Sequence, residues 1–224
     1  MSKAVYVNHL SKNFEEQPIL KDIDFSLEKG SMTALIGASG EGKTTFLNLI
    51  GSLDNSYSGQ IIVEGQDLSL CNDRELSQLR NTKIGFVLQE PILIQRLSVE
   101  QNILLPTVYL PKKARNEKEI KSRMHKLAKY LNIESLLKRK PSTLSGGQKQ
   151  RAVAVRALIN DPDIVLADEP TGSLDEENAK TIIDLFKKIK DEGKAILTVT
   201  HDKKIAALHD NIYKLSSRKI TKLN

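Results

Sequence analysis

Hydrophobic and polar positions along this 224-residue chain follow two periods, and the switches between them mark its organisation. Near the start the period is two. Ala4 to Leu10 reads as a strand and Ile19 to Leu27 as another, with Ile23, Phe25 and Leu27 alternating with Asp22, Asp24 and Ser26. That alternation predicts an antiparallel sheet with one buried face. The polar stretch Ser11 to Gln17 between them reads as a loop. Phe14 lies within it, either as an anchor packed on the sheet or as a platform for a base. Gln60 to Val63 follows a Ser58-Gly59 turn as a further strand. Met32–Ile36, Ile84–Leu88, Ile164–Ala167 and Ala195–Thr200 are short apolar runs of the kind found in buried strands, and Asn211–Leu215 reads as the last strand.

Helical spacing takes over in the middle of the chain. Ser98-Val99-Glu100-Gln101 has the form of a capping box, opening a helix to about Leu105 that Pro106 closes. Glu117 to Leu131 carries Ile120, Met124, Leu127 and Leu131 on one face. Further helices are expected at Asp73–Leu79 and Glu176–Lys190. The reading is an α/β fold with a mainly parallel core sheet and an antiparallel β subdomain, formed by 1–89 and 161–224. A mostly helical subdomain, 90–160, interrupts it.

The chemistry gathers where apolar runs end. Gly37-Ala38-Ser39-Gly40-Glu41-Gly42-Lys43-Thr44 joins the Met32–Ile36 strand to a helix beginning near Lys43, and it matches the phosphate-loop pattern. Its glycines allow successive N–H groups to turn around a polyphosphate, and the helix start adds positive partial charge. Lys43 is placed to meet the β- and γ-phosphates and the Thr44 hydroxyl to ligate Mg²⁺. Asp168 and Glu169 end another buried strand. Next to a nucleotide, Asp168 would face the magnesium and Glu169 the attacking water as general base. Gln89 and His201 also fall at strand ends, where Gln89 could reach magnesium or the lytic water and His201 the γ-phosphate.

A second anion-receptive helix start lies at Leu144-Ser145-Gly146-Gly147-Gln148, with the helix expected from about Gln148. Two such starts with a single lysine and a single carboxylate pair suggest a two-fold dimer. In it, each serine loop would close over the other chain's glycine loop.

Composition narrows the setting. No apolar run approaches the roughly 18 residues needed to cross a bilayer, and no signal segment opens the chain, so a cytoplasmic protein is expected. A single cysteine, Cys71, fits a reducing compartment. Of the net charge of +6, much comes from Lys112 to Lys140, where eleven Lys or Arg face Glu117, Glu119 and Glu134. This segment is a solvated face, or a surface for an anionic leaflet or nucleic acid. Only Tyr130 interleaves with the charges, so no nucleic acid is expected as a partner.

Taken together, the motifs resemble those of the ATP-binding cassette (ABC) ATPases, the nucleotide-hydrolysing subunits of ABC transporters, over essentially the whole length. Gly37–Thr44 resembles the Walker A loop, Gln89 the Q-loop glutamine, and Leu144–Gln148 the family signature. Ile164–Glu169 resembles the Walker B strand, Ser173-Leu174-Asp175 the D-loop and His201 the switch histidine. The phrases Gly85–Gln89 and Leu97–Pro106 are similar to the lipoprotein-release, macrolide-efflux and bacteriocin-export subgroup.

The resemblance implies ATP and Mg²⁺, a homodimer when ATP is bound, an integral membrane permease as partner, and a place on the inner face of the membrane. It implies nucleotide contacts from Phe14, stacked on adenine, and from Gly37, Ala38, Ser39, Gly40, Glu41, Gly42, Lys43, Thr44 and Thr45. Ser145, Gly146, Gly147, Gln148 and Asp175 would contact it from the other chain. Thr44, Gln89 and Asp168 would hold the metal, and Glu169, His201, Gln89 and Lys43 would act in catalysis. Glu41 departs from the small residue common in the family, and in an open loop it is expected to point to solvent. A regulator of a non-transporting membrane partner, such as a cell-wall hydrolase system, is the rival reading.

Overall fold

The computed structural model describes residues 2–172 and 174–223. The two N-terminal alternating stretches form long strands, β1 (Lys3–Phe14) and β2 (Gln17–Glu28), joined by a two-residue hairpin. Phe14 therefore ends a strand and is not in a loop. The polar stretch still pairs, with Lys12 opposite Leu20 and Phe14 opposite Gln17.

The chain continues through β3 (Met32–Ile36) and α1 (Lys43–Ile50) to β4 (Ser58–Val63) and β5 (Gln66–Asp67). Next come α2 (Asp73–Lys83), whose capping box at Asn72 and Glu75 fixes its start, and β6 (Ile84–Val87). Helices α3 (Val99–Leu104), α4 (Glu117–Tyr130) and α5 (Gly146–Leu158) follow. The expected Ser98–Gln101 capping box is present at α3, whose end tightens into a 3₁₀ turn containing Pro106. The chain then runs through β7 (Ile164–Asp168), α6 (Glu176–Asp191), β8 (Ala195–Val199), α7 (Lys203–Ala206) and β9 (Asn211–Ser216). A tenth strand, β10 (Lys219–Lys222), pairs antiparallel with β9, so Asn211–Leu215 is not the last strand. Its Lys-Ile-Thr-Lys sequence carries one apolar residue, the mark of an edge strand open to water.

The strands form two sheets. The smaller is antiparallel in the order β2-β1-β4-β5, and the larger runs β10-β9-β3-β8-β7-β6 with every pairing from β9 to β6 parallel. Alternate residues of β7 serve opposite faces. Val165 and Ala167 join the core formed with α3 to α6, while Ile164 and Leu166 join the core between the sheets, where Phe46, Leu47, Leu49 and Ile50 of α1 are buried. Burying each such side chain stabilises the fold by about 1.5–3 kcal/mol.

This order matters for chemistry. Since β3, β8, β7 and β6 are consecutive neighbours, their carboxyl ends form one edge, the place where open α/β sheets bind ligands.

Candidate functional site: a phosphate-binding cavity

The loop leaving β3 reaches α1 through Gly42, whose φ of 98° lies in the left-handed region. A Cβ there would also stand 2.7 Å from the Ile19 side chain of β2. Glycine is therefore required twice over. Lys43, the first residue of α1, folds back and donates to the carbonyls of Gly37 at 2.9 Å and Ala38 at 2.8 Å. The loop is closed around its own ammonium group. On the next residue, the Thr44 hydroxyl donates to Asp168 Oδ2 at 2.7 Å.

Asp168 ends β7 and is buried. Burial pushes its carboxyl above the usual carboxylate range. The Thr44 hydrogen bond opposes that rise, the Glu169 charge adds to it, and Lys43 opposes it again. A buried carboxylate served by one hydroxyl favours a cation. The hydroxyl and carboxylate oxygens are hard ligands suited to Mg²⁺, which commonly takes one or two protein oxygens and completes its shell with phosphate and water. No group of three or more His, Cys, Asp or Glu able to hold a metal exists among the described residues.

Glu169 takes a left-handed backbone, φ 44°, which costs a non-glycine residue on the order of 1–3 kcal/mol. Two backbone bonds hold it there, from its own N–H to the Val199 carbonyl and from the Gly172 N–H to its carbonyl. The turn aims the side chain at the end of β8. There His201 engages Oε1 through its backbone N–H at 3.0 Å and its Nδ1 at 2.7 Å, and the Thr200 hydroxyl donates to Oε2 at 3.3 Å.

These groups surround one cavity of about 530 Å³, lined by Ser39, Gly40, Gly42, Lys43, Thr44, Thr45, Gln89, Asp168, Glu169 and His201, together with Ile19. Thus the loop, Asp168, Glu169, Gln89 and His201, far apart in the chain, meet as expected. Phe14 stands outside that lining at the hairpin tip, 53% exposed. Glu41 is half-buried and not directed to solvent. Its Oε2 is enclosed without a hydrogen-bond partner among the described residues and lies 3.3 Å from where a Gly37 Cβ would be.

The serine loop is not part of the cavity lining. Ser145 caps α5, which begins at Gly146, two residues earlier than expected. Its hydroxyl accepts from the Gln148 N–H at 3.2 Å, and the Gln148 side chain accepts from the Ser145 N–H at 3.0 Å. Gly146 is open, with nothing within 4 Å of a Cβ placed on it, and Gly147 sits beside Leu174. Asp175 caps α6 through Asn178, whose backbone N–H and side-chain amide hold its carboxyl below the usual range. Ser173, expected in the same loop as Asp175, lies outside the described residues.

Two contributors went unforeseen, Thr200 and Ile19. A bulge at Asp22, where φ is 53°, shifts β2 by one residue, so Leu10 pairs with Ile23 but Lys12 with Leu20. Leu20 then faces the core and Ile19 the cavity. The out-of-step apolar pair Ile19-Leu20 is the only trace of this in the sequence.

A strand, a glycine loop closed on a lysine, a threonine on a strand-end aspartate and a neighbouring glutamate define a P-loop nucleoside-triphosphatase. Residues 20–172 match the family described as "ABC transporter". The chain is 39% identical over 220 residues to the lipoprotein-releasing system ATP-binding protein LolD of Aquifex aeolicus, covering 98% of this chain and 97% of that one. It is also 39% identical over 216 residues to the macrolide export ATP-binding/permease protein MacB of Campylobacter jejuni, covering 96% of this chain but only 33% of the relative. The dimeric structure of MJ0796, a bacterial ABC transporter cassette, superposes with a TM-score of 0.90 at 34% identity over 98% of this chain and 99% of that one. A second dimeric structure of that cassette, bound to ADP and Pi, gives 0.89. The chain belongs to the ABC transporter family, as an ATP-binding and ATP-hydrolysing cassette.

Proposed function

We propose that two copies of this chain bind two ATP between them and power a membrane permease that exports its substrate or transmits force. One observation carries the reading. The cavity gathers a lysine, a threonine–aspartate pair and a glutamate suited to a triphosphate, its magnesium and a water, while a second phosphate-ready helix start, at Ser145, stands open and away from it. A second chain would bring that start over the first chain's nucleotide.

In this reading, ATP draws the Lys43 ammonium off the Gly37 and Ala38 carbonyls and onto its phosphates. Thr44, Asp168 and Gln89 would hold Mg²⁺, which when bound neutralises charge building on the phosphates. Glu169 accepts the proton of the attacking water, and His201 fixes the carboxylate and reaches the γ-phosphate. Phe14 stacks on adenine, while Ser145, Gly146, Gly147, Gln148 and Asp175 act across the dimer.

The segment 90–160 serves as the helical subdomain. A groove of about 550 Å³ between it and the core, lined by Leu53, Phe86, Leu88, Leu105 and Tyr109, supports a partner with an amphipathic segment, and it lies beside Gln89. A permease would place the chain on the inner face of the membrane. No helix among the described residues is long and apolar enough to cross one. The LolD and MacB relatives support a permease of that kind.

The test is Glu169→Gln. Turnover should fall by about 10²–10⁴-fold with ATP binding retained, and light scattering should show a dimer with ATP and a monomer without. Turnover at the parent rate would refute the base assignment, and a monomer at saturating ATP would refute the shared site.

A further inference from the structure

Lys12 is the most deeply buried lysine or arginine among the described residues, 4% exposed, and nothing in the hydrolytic reaction uses it. Lysine is almost never buried so far without a specific partner. Its partners are Asp54, with Nζ 2.8 Å from Oδ2 and 3.0 Å from Oδ1, and the Ser56 carbonyl at 2.7 Å. Both belong to the segment leaving α1, where the Leu53 and Asp54 N–H groups donate back to the Asn48 carbonyl. The ammonium thus ties the β1–β2 hairpin to the far end of the helix whose first residue is Lys43. It also lies 4.9 Å from the centroid of the Phe14 ring, two residues along β1 on the same side as Leu10 and Lys12. The ring remains half-exposed.

We propose that Lys12 is a positioning residue for the base of ATP. Anchored by Asp54, it covers one side of the Phe14 ring, orders it before nucleotide arrives, and fixes its distance from the phosphate loop. A cation on one face of an aromatic ring also draws electron density from the other, which suits stacking on an electron-rich purine. The inference rests on the reading of Phe14 as the adenine platform.

The test compares ATP with magnesium tripolyphosphate, which carries the phosphates without the base. Lys12→Met keeps the apolar stem. It should weaken ATP binding about three-fold and raise KM alike, with kcat and tripolyphosphate binding unchanged. In a Phe14→Ala background the same change should add nothing. Should the lone Asp54 destabilise the fold, Lys12→Met with Asp54→Asn removes both charges, and intact tripolyphosphate binding reports that the site is folded. Equal weakening towards both ligands would overturn the assignment, since Lys12 would then support the whole site. So would unchanged ATP binding in a protein where Phe14→Ala weakens it. If Phe14→Ala itself leaves the ratio of the two affinities unchanged, the base platform fails and Lys12 with it, while the phosphate site stands.

Discussion

On the proposed reading the cavity at the strand ends and the serine-glycine start of α5 both meet phosphate, but they are finished to different degrees. In the cavity the charged side chains and the Thr44 hydroxyl are engaged within the chain. Lys43 holds two carbonyls, Thr44 holds Asp168, and Glu169 is gripped by Thr200 and His201. At α5 the capping box satisfies the helix internally, and the outer face of Gly146 meets nothing. The difference teaches that, on this reading, folding already engages the charged groups of one half of the site and leaves the other half as open surface. Damage to the two halves should therefore have opposite signatures.

Gly146→Asp separates them most sharply. The open position accepts a side chain, and a carboxylate suits a helix start, so stability should change by no more than about 0.5 kcal/mol. Turnover should nevertheless fall by about 100-fold, since the charge would meet the partner's phosphates. Thermal melting alongside an ATPase assay checks both, and normal turnover would show that this surface is not half of a site. Gly42→Ala should do the reverse, costing about 1–3 kcal/mol of stability through its left-handed φ and the Ile19 contact before any catalytic effect is counted.

The smallest effect concerns neither half. His209 is buried, its Nδ1 donates to the Ile205 carbonyl at 2.9 Å, and its Nε2 has no hydrogen-bond partner among the described residues. Burial pulls its pKa below the ordinary 6.5, against bonds from Ile205 and Ala206 and the charge of Asp210. The unfolded chain then takes up the proton first. Stability should decline as pH falls below about 6.5 and level off below the folded pKa. His209→Gln should flatten the slope in melts between pH 7.5 and 5.5 without changing how the two phosphate sites differ.

Much of this was legible in the sequence, because the residues involved have no freedom to do otherwise. The short apolar runs at Ile164 and Ala195, bounded by Asp-Pro-Asp and by Glu-Gly-Lys, suit buried strands, and the glycine loop between Ile36 and Lys43 has one familiar use. What escaped depends on geometry that periodicity does not carry. The bulge at Asp22 sends Ile19 into the cavity, Lys12 hides in a stretch that looks polar and open, and Glu41 turns inward from an apparently exposed loop. β10 escaped for the opposite reason, since an edge strand needs almost no apolar residue.

The order of the large sheet carries one more consequence. The chain leaves β6 for the helical stretch and returns on β7, its immediate parallel neighbour, with Ile84 beside Ile164 and Val87 beside Ala167. Because the two strands are parallel, the chain leaves at the carboxyl end of β6 and re-enters at the amino end of β7, so the stretch between them must run back along the strand pair as well as step across the roughly 4.8 Å between neighbours. The stretch is a crossover tied to both ends of one strand pair. Its first residues leave beside Gln89 and its last lead into the strand that ends in Asp168, so a displacement of the helices between would pull on two strands that each deliver a residue to the cavity.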